Sequence, residues 1–168
     1  MSEHALAAYL NDHLAGSTAA LELLQEVEKA HAGSAAGRFV ARLRQEISAD
    51  RKELEALMAR LQVTASAPRR AATWLAEKLA GLKLRLDDQS GGTFRLLETL
   101  DALSIGIEGK RLLWRALATA AEGAPELQGP NYAYLVQCAD QQRRQLETLR
   151  LEAARTALSA TPAEEARS

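Results

Sequence analysis

The chain has 168 residues, 47% of them hydrophobic and 26% charged, with 21 basic against 22 acidic side chains. That length suits one domain whose single core buries roughly 70% of the unfolded surface. A formal net charge of −1 argues against a dedicated nucleic-acid binder, which would carry a clear basic excess. The one cysteine, Cys138, excludes an internal disulfide and suits a reducing compartment. The opening residues lack the basic start and apolar run of a signal peptide, and no apolar stretch nears the roughly 20 residues of a spanning helix. The expected location is the cytoplasm.

Aromatic residues make up only 4% of the chain, while alanine and leucine, both strong helix formers, are abundant. All four prolines (Pro68, Pro125, Pro130 and Pro162) fall where helical periodicity breaks. The predicted fold class is all-α. The first helix spans 3–31, with Leu6, Leu10, Leu14, Leu21 and Leu24 near helical spacing. Gly33 and Ser34 form a stop and restart, a left-handed glycine followed by an N-cap. The second helix, 35–62, has the cleanest pattern. Val40, Leu43, Ile47, Asp50, Leu54, Leu57 and Leu61 alternate in steps of three and four. Asp50 is the one carboxylate in that seam.

A connection of 29 residues follows, Thr64 to Gly92, too long for a bare loop. It holds a predicted crossover helix at 68–86, with a leucine face (Leu75, Leu79, Leu82, Leu86) and a basic polar side. The next helix, 93–122, carries Leu96, Leu100, Leu103, Ile107, Trp114 and Leu117. Gly106 and Gly109 inside it cost about 1 kcal/mol each relative to alanine, which close approach of another helix would explain. The last helix, 131–159, has the line Tyr132, Leu135, Ala139, Gln142, Leu146, Leu149 and Ala153. Residues 161–168 form a polar tail expected to fray. Short turns join the first two helices and the last two, so each pair should form an antiparallel hairpin. Two hairpins and one long crossover describe a single bundle over 1–160, with a plain up-down bundle carrying a decorated loop as the alternative.

With that organisation and with the helix texture of "YLNDHLAGSTAALELL" (9–24) and "LDALSIGIEGKRLLWRAL" (100–117), the chain resembles the ferritin-like superfamily. It looks most like small bacterial members, uncharacterised or stress-associated, whose crossover is itself helical. The resemblance implies a four-helix bundle in which, among di-iron members, two helices each give a Glu and two each give a Glu-x-x-His. Here those ligands do not carry over. Glu46 is followed three residues on by Ala49, and Asp140 by Arg143, whose guanidinium repels a metal. The third helix offers only Glu98 or Glu108. The one literal match, Glu28 to His31, ends the first helix beside a turn.

A polar cluster remains. His13 and Asp50 lie about equally far from the first turn, and Gln142 should match the height of Glu108 in its partner helix. One reading is a buried hydrogen-bonded layer in which Asp50 orients His13 and Gln142 completes the network. The other is a single Fe, Mn or Zn site using His13, Asp50 and Glu108, although one histidine and scattered carboxylates favour the first. Cys138 reads as packing rather than as a nucleophile, and Trp74 and Trp114 as anchors. The expected function is therefore that of a non-enzymatic bundle without cofactor, acting through protein contacts such as a homodimer. The alternatives are a metal-binding oxidoreductase with a reduced ligand set, and a peripheral membrane or acidic-partner binder working through 68–86.

Overall fold

The computed structural model describes residues 3–66 and 92–159. The predicted crossover helix at 68–86 and the tail at 161–168 lie outside them. Four helices make up the described chain: α1 (Glu3–Ala30), α2 (Ala35–Arg60), α3 (Gly92–Ala121) and α4 (Tyr132–Leu158). A single 3-10 turn, Pro125–Leu127, stands between the last two. Among the described residues none forms a strand.

The turns follow from local chemistry. Gly33 takes a φ of +80°, and the Ser34 hydroxyl accepts from the Gly37 amide at 3.0 Å while donating to the His31 carbonyl at 2.7 Å. Gly37 is required there, because a Cβ would lie 2.1 Å from the His31 carbonyl oxygen. At the other hairpin, the Asn131 side chain accepts from the Tyr134 amide at 3.0 Å and caps α4. The Tyr132 hydroxyl donates to the Leu127 carbonyl at 2.6 Å and pins the turn to the helix. α2 ends in a Schellman arrangement, with Val63 N–H on the Met58 carbonyl and Gln62 N–H on that of Ala59. Gln62 takes the left-handed conformation usually given to glycine. Asn11 then holds the departing chain against α1: its Nδ2 donates to the Thr64 carbonyl and its Oδ1 accepts from the Ser66 amide.

Two apolar clusters show how the helices run. One joins Leu23, Leu24 and Val27 late in α1 to Val40 and Leu43 early in α2, Leu97 and Leu100 early in α3, and Leu146 late in α4. The other joins Leu10 early in α1 to Leu54 and Leu57 late in α2, Trp114 and Leu117 late in α3, and Leu135 early in α4. So α1 and α4 point one way, α2 and α3 the other. Each hairpin is antiparallel, while α2 and α3 are parallel. The end of α2 and the start of α3 therefore lie at opposite ends of the bundle, roughly 40 Å apart for helices of this length.

Most of the predicted seam positions are buried, including Val40, Leu43, Ile47, Asp50, Leu54 and Leu57 of α2. Asn11, Leu23 and Val27 are buried as well, although the leucine spacing of α1 did not single them out. One expectation is not met within the described residues. Among the described residues, nothing lies within 4 Å of where a Cβ at Gly106 or Gly109 would stand. No other described helix approaches them closely.

Gly37→Ala should lower stability by about 2 kcal/mol, since the His31 carbonyl cannot move without breaking the turn. Urea unfolding would measure it, and an unchanged midpoint would refute the requirement.

Candidate functional site

Between the two apolar clusters, at mid-height, lies a polar layer built from seam positions of three helices. Asp50 occupies the α2 seam and Gln142 the α4 seam. Lys110 occupies the same kind of position on α3, where Leu103, Ile107, Lys110, Trp114 and Leu117 advance in steps of four and three. The Lys110 ammonium donates to Asp50 Oδ2 and to Gln142 Oε1. Gln142 Nε2 donates in turn to the same Asp50 oxygen at 3.1 Å. The bonds close a ring, and both faces of the Gln142 amide are used.

The side chains of Lys110 and Asp50 are only 15% and 9% exposed. Burial pulls the Lys110 amine below its ordinary pKa, and the Asp50 charge and hydrogen bond oppose that pull. An ion pair so placed contributes little net stability over an apolar pair, but removing one partner strands the other charge.

On the α1 side of this layer a cavity of about 400 Å³ opens between α1, α2 and α3. Its apolar walls include Ile47, Leu54, Leu103 and Leu113, and Lys110 and Asp50 reach it from the layer. His13 lines it from α1, its ring edge-on to Tyr9 with centroids 4.7 Å apart. Burial lowers the His13 pKa, against a smaller opposing effect of Asp12. A second cleft lies on the α2–α4 seam, where Asp50 and Gln142 meet Glu46, Glu53 and Cys138.

Sequence reasoning placed His13, Asp50, Glu108 and Gln142 near one height. The structure brings Asp50 and Gln142 into contact, and gives His13 and Asp50 a common cavity. It does not bring Glu108 to them. That carboxylate is gripped by Arg111 of its own helix, at 2.8 and 2.9 Å, and by Arg143 of α4 at 2.8 Å. The Arg111 hydrogen bonds hold its pKa down. Glu28, of the literal Glu-x-x-His, is paired with Arg44 at 2.7 Å. Among the described residues no group of three or more His, Cys, Asp or Glu side chains is placed to hold a metal ion. Nor, among them, is any helix long and apolar enough to cross a membrane. Lys110 is the site residue that the sequence reading missed. Its position in the α3 seam was the available signal, of the same kind that singled out Asp50.

No protein-family model matches the chain, and neither the curated proteins nor the solved structures contain one significantly similar to it.

Lys110→Met leaves the Asp50 carboxylate buried without its cation and should cost about 3–5 kcal/mol in urea unfolding. Adding Asp50→Asn should recover a large part of that loss; a single variant as stable as the parent would contradict the layer's role. The His13 shift has its own signature. Because the folded pKa is depressed, the unfolded chain binds more protons between that value and 6.5. Stability from this group is complete above 6.5 and falls as pH drops through that window. Between about pH 7.5 and about pH 5.5 the melting temperature of the parent should therefore fall further than that of His13→Gln.

Proposed function

We propose that this chain is a ferritin-like bundle without a di-iron centre, acting by binding rather than by catalysis. The observation that carries the reading is the ammonium of Lys110 at mid-bundle. Di-iron bundles gather carboxylates and imidazoles from facing helices at that height, so that anionic ligands surround a metal cation. Here the corresponding carboxylate, Asp50, is already neutralised by a side chain of the bundle itself. A cation entering beside it would have to displace an ammonium held by two acceptors. Glu108, the carboxylate that α3 would offer, is committed to two guanidinium groups. The donor set does not fit a metal pair.

The order of helices supports the ferritin-like part of the reading. Two antiparallel hairpins with parallel inner helices need a connection as long as the bundle, as one-crossover bundles have. The outer surface supports a role in contacts. Ile105 and Leu112, two turns apart on α3, are 51% and 49% exposed, and Leu151 on α4 is 43% exposed. A second copy of the chain or another protein would cover them.

Metal analysis tests the proposal. Untagged protein from medium supplemented with iron, manganese and zinc should carry far less than one ion per chain after gel filtration, and should show no oxidase activity. Stoichiometric metal that disappears in Asp50→Asn would overturn it in favour of a reduced ligand set around His13 and Asp50.

A further inference from the structure

Three glycines stand in the middle of helices: Gly16 in α1, and Gly106 and Gly109 in α3. Glycine is the least favourable helix residue after proline, so each position needs a reason. Packing against another described helix does not supply it. Among the described residues nothing lies within 4 Å of a Cβ built at any of the three. All three instead line the cavity of about 400 Å³ between α1, α2 and α3. Ala20, Ser17 and Ala102 also line it, so the small residues of α1 and α3 meet across one space.

The walls and charges of that space narrow what it can take. Most of its surface is aliphatic or aromatic, from Ile47, Leu54, Leu103, Leu113 and Trp114. Its charged lining balances, Lys110 and Arg51 against Asp50 and Asp12. Lys110 already gives hydrogen bonds to Asp50 and Gln142, which leaves one of its three N–H donors for a further acceptor. Burial keeps His13 in its uncharged form near neutral pH, with one ring nitrogen able to donate and the other to accept. A free anion would have to sit beside the Asp50 carboxylate, and a free cation beside the Lys110 ammonium. Ligand pockets of this size are mostly apolar with a few polar groups that fix orientation. A dry cavity near 150 Å³ accepts one benzene, so this one has room for about two or three rings.

We infer that the cavity between α1, α2 and α3 is a binding site for an uncharged, largely apolar small molecule of ring-compound size, held open by Gly16, Gly106 and Gly109 and oriented by Lys110 and His13. The inference rests on reading the chain as a binding bundle, and it names the ligand class of that bundle.

The probe is N-phenyl-1-naphthylamine, an uncharged three-ring fluorophore that brightens in apolar surroundings. Its 8-sulfonate, anilinonaphthalene sulfonate, has the same rings and adds one negative charge. Titration of the full chain should give saturable binding of the neutral dye at one site per molecule, and binding of the sulfonate at least about tenfold weaker. Gly106→Leu and Gly16→Leu each put a side chain into the space from opposite walls. Both should weaken neutral-dye binding at least about tenfold while leaving a cooperative melt at a temperature no lower than the parent's. Amide chemical shifts provide a readout that does not depend on the variants folding. The neutral dye should move the resonances of Gly16, Gly106 and Gly109 in the parent and leave that of Gly33, in the distant turn, in place.

The proposal is overturned if the parent shows no saturable binding, which is also the outcome if the space is already filled by the chain itself. It is overturned too if a folded leucine variant binds the dye as the parent does, or if the dye shifts other glycines and not these three. Equal affinity for the two dyes would overturn the uncharged class. None of these results touches metal content, so a metal-free protein that binds no dye would remove this site and leave the reading of a bundle without a di-iron centre standing.

Discussion

One buried ammonium ties the two hairpins together. Lys110 bonds to Asp50 across the bundle and to Gln142 in its own hairpin, and Gln142 closes the ring by donating to Asp50. Three helices thus share one set of hydrogen bonds at mid-height. Sliding any of them by a turn would part the charges and leave each buried without a partner, a loss larger than the intact pair contributes. Apolar contacts above and below tolerate small shifts in register. The ring does not. Polar seam residues in helical bundles act in this way, trading stability for a single alignment.

The layer also shapes the space around it. Polar side chains from α2, α3 and α4 meet at the centre, while α1 contributes Gly16, Ser17 and Ala20 to the cavity beside them. The core divides into two apolar clusters, and among the described residues the cavity lies between them on the α1 side. Packed interiors rarely keep voids of that size, because each missing contact forfeits dispersion energy. The glycines add an unfavourable helix propensity to that cost. Both penalties fall at the same place, beside the buried charges, which is where function outweighs stability in many folds.

Surface electrostatics follow a different logic. Arg150 bridges Glu147 of its own helix and Asp101 of α3, and Arg143 reaches Glu108 between the same two helices. These pairs are partly exposed, so solvent screens them and each contributes little. Their effect on the reading of function is larger. A carboxylate that spacing alone offers as a metal ligand is here the acceptor of two arginines, and only the position of α4 relative to α3 decides that.

The helices themselves were legible in the sequence. Steps of three and four placed the buried faces of α2 and α4 almost residue for residue, because a helix repeats every 3.6 residues whatever it packs against. Turn chemistry at Gly33 and Ser34 was equally local, and the Asn131 cap that the structure shows obeys the same local rule. Even the polar layer was visible in part, since Asp50 and Gln142 break apolar seams, and Lys110 breaks the α3 seam in the same way. What the tertiary structure decided was partnership. Whether Asp50 faces a metal, His13 or an ammonium depends on the rotation and height of three other helices, which no period within one helix contains. The glycines make the same point. In one dimension Gly106 and Gly109 signal only that something is tolerated or required, and close packing was the ordinary explanation. Among the described residues their surroundings are an opening, because volume belongs to the gap between helices and not to any one of them.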